Sequence, residues 1–225
     1  MPSTWDRLLA GLPYALLLTA IILAGLWLSN IAYDRGVPQY ISRKIGHAAG
    51  GLCFLLAPFV FDSVVWPLFL AASFTLVLVL ARLLRPATFR GVGGNGRSGD
   101  SFAEIVFAAV AIPAYLVGWL WLNEPLMTTA ALVFMAWGDG VTGLVRARVY
   151  HRPVKGLWGS LAMLAVCLAL AGALVRPLWV GAAAALAATV AELSFGDVGL
   201  VKRIDDNLAI PIISLAVLLG LLNVV

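Results

Sequence analysis

The stretch WGDGVTGLVRARVYHRPVKGLWGS, residues 137–160, decides how this chain is read. It begins inside an apolar run and sets the acid Asp139 between Gly138 and Gly140. It then gathers Arg146, Arg148, Arg152 and Lys155, and closes on Gly159 and Ser160 as the next apolar run starts. If the first run ends as a helix near Val145, Asp139 lies about a turn and a half below the surface. An ionised acid at that depth costs roughly 2.5–3.5 kcal/mol on insertion scales unless it is paired or reaches water. The flanking glycines clear side chains from beside it, so that backbone or ligand can come close. A deep acid, a basic loop and a glycine-flanked helix start point together to a polyphosphate and its metal held at a membrane face. The purely structural alternative is a pairing of Asp139 with Arg146 or Arg43 that ties helices together.

Composition sets the class. Of the 225 residues 62% are hydrophobic and 12% charged, with a mean hydropathy of +1.00. Soluble domains carry about a quarter charged residues, so a water-soluble fold is excluded and an all-α integral membrane protein is expected. Length predicts one domain, residues 1–225. The first apolar run lacks a trustworthy cleavage site and is read as a retained span. Cys53 and Cys167 both sit in apolar runs, where a small buried packing role is expected. No nucleic-acid partner is expected; the net charge of +4 suits the anionic headgroups of a lipid bilayer.

Apolar runs fall at residues 8–28, 46–61, 64–84, 102–122, 126–145, 157–175, 178–193 and 208–225. A helix needs about 20 residues to cross a hydrocarbon core of about 30 Å. The second and seventh runs are short. Eight transmembrane helices are predicted, with seven spans and one re-entrant piece as the alternative. Basic residues test the count: thirteen of the fifteen Lys and Arg fall in the loops after the first, third, fifth and seventh runs. The positive-inside rule then puts those loops in the cytoplasm and both termini outside.

The acids share that bias, with Asp34, Asp100, Glu104, Asp139, Glu192, Asp197, Asp205 and Asp206 on or near the cytoplasmic side. Arg43 and His47 stand four apart at the start of the second run and share a helix face, with Lys44 beside them. Two cations and an imidazole directed to one place suit a phosphate chain, or a hydroxyl that must lose a proton. The glycine-rich loop at residues 91–100 follows an apolar helix and lacks a Gly-Lys-Ser/Thr, so it reads as a connector rather than a P-loop. Glu192 lies near the end of the seventh run, and Asp205, Asp206 and Asn207 precede the last. One of those three suffices to cap a helix. Three oxygen-bearing side chains suit Mg²⁺, and no Cys/His set exists for zinc.

In order, Arg43-Lys44-x-x-His47, Gly138-Asp139-Gly140, Lys155 with Gly159-Ser160, Glu192 and Asp205-Asp206-Asn207-Leu208…Pro211 resemble the motifs of the polyprenol kinase family, which contains dolichol, phytol and farnesol kinases. The resemblance covers about residues 40–215 and is nearest to the short phytol kinase branch. It implies a CTP-dependent kinase that uses a divalent metal to phosphorylate a membrane-embedded prenyl alcohol, phytol or geranylgeraniol before longer polyprenols. It departs in two places. Thr142-Gly143 stand where the family has Ala-Asp, and Lys155-Gly156-Leu157-Trp158 replaces its usual basic-loop motif.

Phosphoryl transfer rests on positioning and charge neutralisation. Arg43, Lys44, Lys155, Gly159, Ser160 and Lys202 are the candidate nucleotide-binding residues. Asp139, Asp205, Asp206 and Asn207 are the candidate metal ligands, and Asp139, Lys155, His47 and Glu192 the candidate catalytic set. The base is one of Asp139, Glu192 and His47. A cytidylyltransferase acting on a lipid phosphate, and a small-molecule or ion transporter using Asp139 and Glu192, are the other classes. A cell membrane of a prokaryote, with the site facing the cytoplasm, is the expected location.

This topology predicts that cysteines placed at Arg97, Arg152 and Lys202 react with an impermeant thiol reagent only from the cytoplasmic side of sealed vesicles, and one at Asn123 only from outside. Labelling of position 97 or 152 from outside reverses the topology.

Overall fold

A computed structural model of the chain describes residues 4–93, 102–151, 154–196 and 204–222. Among the described residues each apolar run holds a helix: α1 (Thr4–Asp34), α2 (Gln39–Val60), α3 (Val65–Leu84), α4 (Ala103–Trp121), α5 (Pro125–Tyr150), α6 (Leu157–Leu174), α7 (Leu178–Ser194) and α8 (Asp206–Leu222). No strand occurs among the described residues. A short helical stretch, Pro86–Phe89 then Arg90–Gly93, follows α3.

Five rods, residues 8–34, 65–84, 103–121, 125–150 and 157–174, are long and apolar enough to cross a membrane. The other three differ for physical reasons. At 17 residues each, α7 and α8 reach only about 25 Å at 1.5 Å per residue. The second rod is longer than its apolar run because the helix begins at Gln39 and carries Arg43, Lys44 and His47 within its first turns.

Local signals set the ends. Gly36, at φ +85°, closes α1 before Pro38 precedes α2, since glycine adopts the left-handed region without a side-chain penalty. Asn123 takes φ 55° before Pro125 opens α5, as proline at a first helical position forfeits no hydrogen bond. Arg176 Nη1 donates to the Gly172 and Val175 carbonyls at 2.6 and 2.8 Å, covering the end of α6.

The core centres on α5. In its most apolar stretch 72% of residues are buried, against 22% in α1 and α3. Residues 127–136 form an unbroken buried segment, because α5 is packed on several sides: α2, α4, α6, α7 and α8 all contact it. Close approach is bought with small residues, as expected where lipid supplies no hydrophobic drive between helices. On α7, Gly181, Ala184, Ala185, Ala188 and Glu192 line one buried stripe. Both cysteines are buried and unbridged.

The two glycines beside Asp139 do different jobs. A Cβ at Gly138 would lie 2.8 Å from Cys167 Sγ and 3.2 Å from Met163 Cγ, and both side chains are fully buried. At the buried Gly140 a Cβ would meet nothing within 4 Å. Packing against α6 therefore requires Gly138, whereas Gly140 leaves free space next to the acid. Gly138→Val is expected to lower stability by about 1–3 kcal/mol through overpacking, and Gly140→Ala to leave it nearly unchanged. Thermal unfolding of the two variants in detergent checks this.

Candidate active site

The helices run alternately, so the C-terminal ends of α1, α3, α5 and α7 meet the N-terminal ends of α2, α4, α6 and α8. The charged sequence clusters gather at that end. Arg90 pairs with Asp34 there, Nε to Oδ1 at 2.6 Å, and Ser42 Oγ donates to the Gly91 carbonyl at 2.8 Å. Inside it lies a buried polar cluster.

On α5, Asp139, Thr142, Gly143 and Arg146 follow the i, i+3, i+4, i+7 pattern and so share a face. Asp139 is 2% exposed and accepts a charge-assisted hydrogen bond from Lys44 Nζ of α2. His47, one turn further along α2, holds Nδ1 3.8 Å from the same Asp139 oxygen. Thr142 Oγ1 donates to the Asp139 carbonyl at 2.8 Å and to Oδ1 at 3.3 Å. Gly143 explains how Lys44 arrives: a Cβ there would lie 2.7 Å from Lys44 Cε. The position where the family resemblance implies a second acid is thus filled by the stem of the lysine that neutralises the first.

Glu192, fully buried on α7, accepts from Arg146 of α5. Lys155, in the turn before α6, donates to the Glu192 and Phe195 carbonyls at the end of α7. Its Nζ also stands 3.3 Å from Asp206 Oδ2 and 3.4 Å from Glu192 Oε1. Burial pulls the Lys155 ammonium below its usual pKa, and the Asp206 carboxylate pulls it back up. One lysine therefore ties the start of α6 to the end of α7 and the start of α8.

The outcome is a carboxylate triad. Asp139, Glu192 and Asp206 each offer an oxygen, and these lie within 4.8 Å of one another. Oxygen-only donors suit a hard cation such as Mg²⁺, and these three residues would hold it. Two further observations fit a cation: Glu192 Oε2 and Asn207 Oδ1 are buried without a hydrogen-bond partner, which is costly unless something meets them.

The sequence-predicted residues divide accordingly. Asp139, Glu192, Asp206, Lys44, Lys155 and His47 converge. Arg43, beside Lys44 on α2, leaves its Nε buried without a hydrogen-bond partner. Asp205, expected among the metal ligands, spends Oδ1 on the helix start, accepting from the Asn207 backbone N–H at 2.8 Å and its Nδ2 at 2.9 Å. That is an N-cap's work. Gly159 is buried facing Thr142, and Ser160 Oγ donates back to the Gly156 carbonyl at 3.5 Å. Lys202, Arg97, Arg152 and Asp197 lie outside the described residues. Neither of the arginine pairings considered for Asp139 occurs: its partner is Lys44, and Arg146 serves Glu192. Arg146 and Thr142 were missed as site residues, although their spacing from Asp139 placed them on its face.

No family model, curated protein or solved structure matches this chain. The site is therefore read from its own chemistry.

Removing one member of a buried pair strands the other, at a cost of about 3–5 kcal/mol. Asp139→Asn is expected to lower the thermal midpoint as well as abolish turnover. The double variant Asp139→Asn, Lys44→Met should recover most of the stability and none of the activity. Recovery of both would make the pair a purely structural tie.

Proposed function

We propose that this protein is a membrane-embedded, CTP-dependent kinase that transfers a γ-phosphoryl group to a prenyl alcohol, phytol or geranylgeraniol in preference to longer polyprenols. The observation that carries the reading is the meeting of three carboxylates with three cations, Lys44, Arg146 and Lys155, in one cluster at the end of an apolar bundle. Bound Mg²⁺ would be held by Asp139, Glu192 and Asp206, where it would neutralise phosphate oxygens. The choice of CTP and of a prenyl acceptor rests on the motif resemblance.

In this reading the cations change partners. Lys44, Arg146 and Lys155, which offset the carboxylates in this structure, would be the cations to meet the triphosphate where the acids hold metal. Lys155 is the candidate for the β- or γ-phosphate, since its flexible ammonium carries three donors. The positive end of α8, with Asp206 and Asn207 in its first turn, faces the same anions. The alcohol oxygen attacks the γ-phosphorus, the bond from that phosphorus to the β-phosphate oxygen breaks, and CDP leaves. His47 is the base this reading favours for the hydroxyl proton, because both ring nitrogens are buried without partners while Asp139 and Glu192 Oε1 already serve cations. Eight membrane crossings with the site on the cytoplasmic face, in a prokaryotic cell membrane, complete the proposal.

Purified protein with γ-labelled CTP, Mg²⁺ and a panel of prenols should yield CDP and labelled prenyl phosphate. Pyrophosphate and a CDP-lipid would make it a cytidylyltransferase, and the absence of any product would leave transport as the class. Within the kinase, Lys155→Ala should raise the KM for CTP, lower turnover, or both, whereas a purely structural tie would lower only the thermal midpoint. Asp206→Ala should raise the Mg²⁺ requirement. Asp205→Ala should cost about 1 kcal/mol of stability, as a lost cap does, and leave the Mg²⁺ requirement alone. Titrations of activity against CTP and Mg²⁺, with unfolding curves, separate these outcomes.

A further inference from the structure

Helices α1, α2, α3 and α4 line an open-sided apolar cavity of about 90 Å³ that the charged cluster does not account for. Along α2 its wall runs from Gly46 to Ala57, a distance of about 16 Å at 1.5 Å per residue. That is roughly half of a 30 Å hydrocarbon core. Ile22, Leu70, Phe74 and Phe107 supply much of the remaining wall, and the polar residues reaching it are few: His47, Glu104 and Tyr115. Glu104 is committed to Arg82 at 2.5 Å.

His47 differs. Its ring stacks on Phe107 with centroids 4.2 Å apart, it is 2% exposed, and neither nitrogen has a partner. The same ring borders the cavity and stands 3.8 Å from Asp139. An apolar wall about 16 Å long with an unsatisfied imidazole near one end, beside a carboxylate cluster, suits a single chain with a polar tip.

We infer that this cavity binds one hydrocarbon chain of a long-chain alcohol, with its terminal hydroxyl hydrogen-bonded to His47. That the hydroxyl is a phosphate acceptor rests on the proposed function; chain binding does not. Width at mid-cavity depends on Gly50, where a Cβ would lie 2.7 Å from the Phe107 ring. Any larger residue there must displace that ring, which is itself part of the cavity wall.

The test is photolabelling of the full chain in detergent, without nucleotide, by a long-chain primary alcohol carrying a mid-chain diazirine. Crosslinks should map to the α1–α4 wall, at Ile22, Leu70, Phe74 and Phe107, and unlabelled geranylgeraniol should suppress them. An alkane of equal length should compete about tenfold less well, the worth of one good hydrogen bond. Gly50→Leu should cut labelling by about tenfold, and Ala108→Phe, in the same wall, is the second variant should the first fail to fold. Ala216→Phe, in the separate groove between α4 and α8, should not change it. Crosslinks centred on that groove, or labelling indifferent to the Gly50 and Ala108 variants, would overturn the inference, and equal competition by alkane and alcohol would remove His47 from it. The crosslink map of the unmodified chain decides the site even if neither variant folds. Labelling on this wall without CTP turnover counts against the kinase reading alone; turnover without labelling counts against the cavity alone.

Discussion

Three carboxylates with oxygens within 4.8 Å of one another repel strongly when all are charged, by about 3–4 kcal/mol per pair at an effective dielectric of about 20. Such a group persists in an apolar bundle only if cations are fixed beside it. Here each acid has its own: Lys44 for Asp139, Arg146 for Glu192 and Lys155 for Asp206. The three pairs join α2 to α5, α5 to α7, and the turn before α6 to α8. Neutralising the acids and holding the helix ends together are thus one act.

The rest of the packing serves that arrangement. The α5 helix can carry Asp139 and Arg146 inside the bundle because its apolar half, residues 127–136, is sealed by neighbours. Those neighbours come close through small residues, Gly138 against Cys167 and the alanine stripe of α7. Around Asp139 the backbone of α5 also widens into π-type turns over Phe134–Asp139. Such turns are rare in helices and recur at functional sites. Buried ion pairs are poor sources of stability compared with well-packed apolar residues, so stability alone does not account for a cluster of three.

The cluster is also built to change. Glu192 Oε2, Asn207 Oδ1 and both nitrogens of His47 are buried without partners, and Gly140 leaves open space beside the acid. Unmet polar atoms next to free volume are what a site holds ready for a ligand's charge and donors. Lysine and arginine side chains can exchange one anion for another with small movements, whereas the helices carrying them stay in place.

The sequence by itself determined the class, the helical rods and the end of the bundle where charge collects. Hydrophobic runs near the length of a bilayer core and basic residues concentrated in alternate loops are properties of one dimension. It also picked out Asp139, Glu192, Asp206 and Lys155, because ionisable groups in or beside apolar runs are costly and therefore conspicuous. Tertiary structure alone decided who pairs with whom. Arg43 and Arg146 were the partners considered for Asp139, yet Lys44 reaches it because Gly143, one turn from the acid on α5, leaves room for its stem. Whether Asp205 or Asp206 turns inward depends on the winding of the first turn of α8, which spends Asp205 on its own N–H groups. A carboxylate's cost of burial is written in the local sequence, but the partner that offsets it lies 95 residues away for Lys44 and Asp139, and only the packing of helices brings the two together.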